Sequence, residues 1–149
     1  FLIDVVVPST KLAQNVINDN RVAFFHGDSL NMIDKIDRKL DFAYIDGCHE
    51  YNYMTSEIVK LLPLIKPGGI IGGHDYDQIG VNLSVQTLYC NLWRNIKRKP
   101  RLFVESCRDG HPAYPLEYNE MGFPLDWWIE IPYDIKLGKS FKYNHLRNG

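Results

Sequence analysis

Leu40–Tyr76 reads LDFAYIDGCHEYNYMTSEIVKLLPLIKPGGIIGGHDY, and the rest of the chain is organised around it. Leu40 to Ile45 is a short apolar run with aromatic and β-branched members that stops at Asp46-Gly47. That is the pattern of a buried strand ending in a polar turn. From Met54 onward the apolar residues Met54, Ile58, Leu61, Leu62 and Ile65 follow the i, i+4, i+7, i+8, i+11 stripe of a helix lying on a sheet. Pro67-Gly68-Gly69 predicts the stop of that helix, and Ile70 to Gly73 predicts a second strand that delivers His74-Asp75-Tyr76 at its carboxyl end. Two strands joined by one helix make a βαβ unit, whose right-handed crossover leaves both strands pointing the same way. Asp46 and His49 then emerge beside His74 and Asp75 on the edge where open α/β sheets bind ligands.

The I-D-G-x-H-x-Y of Ile45–Tyr51, the L-x-P-L-x-K-P-G-G of Leu61–Gly69 and the G-G-H-D-Y of Gly72–Tyr76 together resemble the class I S-adenosylmethionine-dependent methyltransferases. They are most similar to the small-molecule O-methyltransferase branch that includes sugar and macrolide-sugar methyltransferases. The resemblance implies an α/β fold with a Rossmann-like sheet, mostly parallel with an antiparallel edge strand. It also implies S-adenosylmethionine as cofactor and a small hydroxylated acceptor. A complete protein of this class opens with a strand and a Gly-rich turn, and nothing before Asp4 has room for them. The expectation is therefore a carboxyl-terminal part of a longer protein, lacking the first strand and helix. Gly68–Gly73 superficially resembles G-x-G-x-x-G, but it follows a helix and encloses a strand, so it fails the structural condition of a dinucleotide fingerprint.

Working outward, Phe1 to Val7 is apolar except for Asp4 and reads as a buried parallel strand. Pro8-Ser9-Thr10 then leads into a capped helix over about Lys11 to Asn18, with Leu12, Val16 and Ile17 on its inner side. Arg21 to His26 reads as the next strand, turned by Gly27-Asp28-Ser29 into a short helix carrying Leu30, Ile33 and Ile36. The resemblance implies that Asp4 accepts hydrogen bonds from the cofactor ribose and that Gly27, Asp28 and Ser29 lie at its adenine. The residues themselves are equally consistent with a strand-end carboxylate at Asp4 and an ordinary helix N-cap at Asp28 or Ser29.

Beyond Tyr76 a long helix opens at Val81, with Val85, Leu88, Tyr89, Leu92 and Ile96 completing its inner stripe and Gln86 facing out. Leu102 to Glu105 and Asp126 to Ile131 read as the last strands, joined by a Pro- and Tyr-rich loop from Cys107 to Pro124. In the family such a loop reaches towards the substrate, which implies substrate roles for Tyr114 and Tyr118 beside Tyr76. Residues 1–132 are expected to form one methyltransferase-like domain, and residues 133–149 a polar tail.

The 149 residues are 45% hydrophobic and 23% charged, the balance of a globular protein, and suit one domain. A net charge of −1 supplies no global field for nucleic acid or an anionic membrane. The basic run Arg94, Lys97, Arg98, Lys99 and Arg101 reads as a cationic helix C-terminus favourable to the macrodipole. Cys48, Cys90 and Cys107 are widely spaced and odd in number, which argues against a zinc or disulfide framework and for a reducing, cytoplasmic setting. Homo-oligomerisation is left open by these features.

Methyl transfer to an alcohol needs a polarised or deprotonated oxygen held in line with the sulfonium methyl. Asp46 and Asp75 offer hard oxygen ligands for a divalent cation such as Mg²⁺ or Mn²⁺. The resemblance implies the same, with Asp46, His74 and Asp75 standing at the family's acidic metal positions and Asp46 also near the cofactor. His74 departs from the family pattern, because imidazole suits Mn²⁺, Fe²⁺ or Zn²⁺ better than Mg²⁺; a metal-free hydrogen-bonded cluster is the alternative. His49, three residues past Asp46, stands where relatives carry a general base, and an imidazole titrates near neutral pH. Two other readings remain at this stage: a non-catalytic Rossmann-like interaction module, and a metal-dependent hydroxylase of the same architecture.

Overall fold

The computed structural model describes residues 1–94, 100–106 and 125–133, which fall into two compact units, residues 1–38 and residues 39–149. Tyr114, Tyr118, Ile96, Cys107, most of the basic run and residues 134–149 lie outside the described residues.

In the first unit, β1 (Leu2–Asp4) pairs in parallel with β2 (Phe24–His26), Leu2 opposite Phe24 and Asp4 opposite His26. Both strands are shorter than the apolar runs predict. Helix α1 (Lys11–Ile17) starts where Thr10 accepts a bond from the Ala13 amide, and α2 (Ser29–Met32) where Asp28 accepts one from Asn31. These caps satisfy amides that the first turn of a helix leaves without partners. The expected inner side of α1 is a correction: Leu12 is 77% exposed, Val16 is exposed as well, and no residue of the helix is buried. The expected buried strand at Phe1–Val7 is corrected likewise, since Val5, Val6 and Val7 are exposed and unpaired in any ladder. An apolar stripe records only a capacity for burial; a covering layer must realise it.

In the second unit, β3 (Leu40–Ile45), β4 (Ile65–Gly73), β5 (Leu102–Ser106) and β6 (Leu125–Glu130) form a sheet in the order β3-β4-β6-β5. β3 and β4 are parallel, and β6 runs antiparallel to both β4 and β5. Helix α3 (Tyr51–Leu61) crosses between β3 and β4, and α4 (Ile79–Arg94) follows β4. The core consists of alternate strand residues, among them Ile45, Ile71, Trp127 and Ile129, together with Met54 and Ile58 of α3 and Val81, Val85, Leu88 and Leu92 of α4.

Two boundaries differ from expectation. Helix α3 ends at Leu61, before Pro63 and well before Pro67, and the chain tightens into a short 3₁₀ turn at Leu62–Leu64. Proline lacks the amide that a helix interior needs, so the earlier proline wins. Ile65, expected on the helix, therefore opens β4, which spans the Lys66-Pro67-Gly68-Gly69 stretch as an irregularity: Leu40 pairs with Ile65, but Phe42 pairs with Ile70. Gly68 has φ of +80°, a conformation that costs other residues a clash with their own Cβ. Lys66 reaches across to Asp41 at 2.7 Å, which answers the exposed acid on β3. Among the described residues, no helix is long and apolar enough to cross a membrane.

Candidate functional site

The parallel pairing of Ile45 with Gly73 makes β3 and β4 end side by side, so the chain leaves them at Asp46 and His74 on one edge. The His74 amide still bonds the Ile45 carbonyl at 3.1 Å, extending the ladder one step beyond the strands. Asp75 then turns the chain with φ of +59°, the single positive φ outside glycine among the described residues. A non-glycine residue held there is strained and is a recurrent feature of functional turns.

That turn aims the Asp75 carboxylate between two imidazoles. Its Oδ2 lies 2.9 Å from His49 Nε2 and 3.1 Å from His74 Nδ1, and its side chain is 16% exposed. A carboxylate oxygen accepts and does not donate, so a ring nitrogen that bonds it must carry the proton. A neutral His49 that turns an Nε2–H to this oxygen keeps Nδ1 as its lone pair. The His49 side chain is 44% exposed, open to an incoming ligand.

Asp46 Oδ1 stands 3.9 Å from His74 Nδ1, and one ligand atom each from Asp46, His74 and Asp75 lies within 4.8 Å of the others. Ligands bound to one cation at about 2.0–2.6 Å can be up to about 5 Å apart, so these three fit a divalent ion. A metal there would take the place of the His74 Nδ1 proton, and two carboxylates with one imidazole suit Mn²⁺ or Fe²⁺ better than Mg²⁺.

Asp126 and Tyr44 belong to the same place and were not singled out from the sequence. Gly73 pairs with Trp127, which sets His74 opposite Asp126 one step further on. Asp126 Oδ1 is 3.9 Å from His74 Nε2 and accepts a 2.9 Å bond from the Tyr44 hydroxyl. Gly72 lies between Tyr44 and Trp128 in the ladder and presents no side chain there. The available signal was an acid opening the apolar run Asp126-Trp127-Trp128-Ile129, the mirror of Asp46 closing its own. Glu57 was missed too: it lies on α3, is 4% exposed, and its carboxylate sits at contact distance from where a side chain on Gly47 would begin. Tyr76 is half-buried, its hydroxyl accepting a bond from Gln86 of α4, so Gln86 does not face out as its position in the stripe predicts.

Of the residues expected at the cofactor, Asp46 lies in the second unit and Asp4, Gly27, Asp28 and Ser29 lie in the first. Because β1 and β2 are parallel and in register, Asp4 and Gly27-Asp28-Ser29 leave the same end of that small sheet. The Gly27 amide, at φ of +143°, bonds the Asp4 carbonyl at 2.9 Å. Asp4 Oδ1 accepts from the Val6 amide at 2.8 Å, and Asp28 caps α2 through Oδ1. Both carboxylates thus serve their own backbone with one oxygen.

Residues 8–76 match a sequence family described as a methyltransferase domain. No curated protein matches the chain in sequence. Among solved structures, the chain is similar to an rRNA methylase from Streptococcus thermophilus, with 12% identity, a TM-score of 0.55, and coverage of 87% of this chain and 71% of that one. It is similar to a Clostridium thermocellum protein described as an rRNA methylase, at 16% identity and a TM-score of 0.54, covering 87% and 70%. A third is MycE, the methyltransferase from the mycinamycin biosynthetic pathway, in complex with Mg, SAH and mycinamycin VI, at 13% identity and a TM-score of 0.51, covering 95% of this chain and 39% of MycE. At such identities these likenesses bear on the fold, and the fold is the Rossmann-like one of these methyltransferases.

Proposed function

We propose that this chain, which carries a methyltransferase domain of the S-adenosylmethionine-dependent class, transfers a methyl group to a hydroxyl of a small molecule, with a sugar or glycosylated metabolite as the favoured acceptor. Its cofactor is S-adenosylmethionine, which supplies an electrophilic methyl on a sulfonium. The observation that carries the acceptor chemistry is the 2.9 Å contact between His49 Nε2 and Asp75 Oδ2. Asp75 holds the imidazole with its Nε2 proton engaged, so Nδ1 accepts the proton of the acceptor hydroxyl as the oxygen–methyl bond forms. Asp75 also stabilises the imidazolium that results, the logic of any base oriented by a carboxylate.

Asp46, His74 and Asp75 would hold a divalent cation that polarises the acceptor oxygen and lowers its effective pKa. Asp4, Gly27, Asp28 and Ser29 bind the nucleoside end of the cofactor in this reading, and Tyr76, Tyr114 and Tyr118 line the acceptor side. The likeness to MycE, whose structure holds Mg and mycinamycin VI, is in keeping with both the acceptor class and the cation. The free thiols Cys48 and Cys90 are in keeping with a reducing, cytoplasmic setting.

The test is calorimetric titration of S-adenosylmethionine, with and without Mn²⁺, into this chain and into any longer natural version, followed by transfer assays. Binding is expected, and Asp46→Ala is expected to abolish transfer with the fold retained; retained transfer removes Asp46 from the chemistry. His49→Ala is expected to slow transfer by about 10²–10⁴ while cofactor affinity persists, the loss typical of a general base. Lost affinity with unchanged turnover would instead make His49 a binding residue. Absence of cofactor binding to either version favours a non-catalytic module.

A further inference from the structure

The turn that carries His49 is held from behind by α4. A Cβ placed on Gly80 would lie 2.0 Å from the His49 carbonyl oxygen and 2.9 Å from the Tyr51 amide nitrogen. Both neighbours are backbone atoms, which have no flexible end to swing aside. Glycine at position 80 therefore lets the first turn of α4 run in direct backbone contact with the His49–Tyr51 segment. One turn on, the fully buried Ser84 accepts a 3.0 Å bond from Thr55, and its own hydroxyl faces the carbonyls of Gly80 at 2.8 Å and Tyr51 at 3.2 Å. A further turn on, Thr87 meets the Tyr51 hydroxyl at 3.3 Å. Residues 80, 84 and 87 thus form one face of α4 whose partners are the start of α3 and the turn before it.

This face is polar where a helix pair would ordinarily be packed with aliphatic side chains: Thr55, Ser84 and Thr87 are all fully buried. Buried hydroxyls are tolerated when bonded, and their bonds fix one position of the partner where aliphatic contacts allow sliding. His49 requires such placement, because its 2.9 Å approach to Asp75 is lost if its backbone moves by an ångström.

We propose that Gly80 and Ser84 are positioning residues for His49, fixing its backbone so that the imidazole meets Asp75 and presents Nδ1 to the acceptor. The inference rests on the reading of His49 as the base, but its first readout does not. In the full chain, the imidazole ¹H–¹⁵N correlation of His49 at one fixed pH reports its contact with Asp75. Gly80→Ala is expected to shift that signal away from the wild-type position, and Ser84→Ala to shift it in the same direction by less. Ile79→Ala, at a neighbouring position that is 80% exposed, is expected to leave it unmoved.

In transfer assays Gly80→Ala is expected to lower turnover by about 100-fold with cofactor affinity retained, the cost of a small misplacement of a reacting group. Ser84→Ala is expected to cost about tenfold, within that same limit. An unmoved His49 signal in folded Gly80→Ala overturns the proposal, as does wild-type turnover in that variant while His49→Ala is inactive. Should Gly80→Ala fail to fold, an unmoved signal in Ser84→Ala overturns it. Full activity of His49→Ala, with the signal shifted in both variants, would instead overturn the base reading and leave the positioning of His49 standing.

Discussion

Val5, Val6 and Val7, just past β1 in the first unit, and Ile70 and Ile71, inside β4 in the second, are both short β-branched runs, yet the valines are at least 47% exposed while Ile71 is fully buried. The same contrast separates the helices. Leu12 and Val16 of α1 are exposed on a stripe of the right spacing, whereas Val81, Val85, Leu88 and Leu92 of α4 are buried on theirs. Spacing is equal in the two cases, so it is not what decides burial. In the second unit α3 and α4 supply a second layer to the sheet, and the described residues of 1–38 contribute only Ile33 and Ile36 to the buried hydrophobic set. Local devices, two side-chain caps and a parallel pair of three-residue strands, hold the first unit's shape.

The sharpest way to break this comparison is to cut into the second core. Leu88→Ala is expected to destabilise by about 2–5 kcal/mol in urea titration, the cost of a cavity in a packed site. A loss below 1 kcal/mol would show that α4 is not packed as described. Thr10→Ala, which removes the bond to the Ala13 amide, is expected to cost about 1 kcal/mol. Its effect would show best as faster amide exchange confined to α1.

Leu12→Ala is expected to stay within about 0.5 kcal/mol of wild type, as for an exposed position. A loss comparable to that of Leu88→Ala would mean that α1 is covered in solution, and the contrast between the units would fall. The smallest effect is electrostatic. The Arg21 side chain, hydrogen-bonded to Asp19, holds that carboxyl below its ordinary value of 3.8. Stability from a lowered carboxylate is present above the unfolded value and is lost as the pH falls through the lower folded value. The pair lies at the surface, Arg21 85% and Asp19 30% exposed, so Arg21→Ala is expected to lower the urea midpoint only slightly at pH 7 and to converge on wild type in acid.

The βαβ unit was legible because three signals agreed there: an apolar strand closed by Asp46-Gly47, a helical stripe, and a Gly-rich return. The error within it was local. Pro63 and Pro67 compete to end α3, and a periodic pattern does not rank two prolines; the 3₁₀ turn at Leu62–Leu64 shows which one acts. The core of the site was legible for the same reason, since Asp46, His49, His74 and Asp75 all lie within a few residues of a strand end. Asp126, Glu57 and Gly80 were not, because each reaches the site across a strand or helix pairing that no local pattern encodes.

The sequence by itself therefore determined the class of fold, the parallel sense of β3 and β4, and which residues leave their carboxyl ends, since each follows from local periodicity and a single chirality rule. It also determined that an imidazole and two carboxylates would be near one another. Only the tertiary structure decided that Asp75 lies between two imidazoles, that Asp126 stands opposite His74, and that α4 passes close enough behind His49 for glycine to be required. Those outcomes depend on register and on the approach of helices at ångström precision. Such distances are set by packing between segments far apart in the chain, and periodicity along one segment carries no record of them.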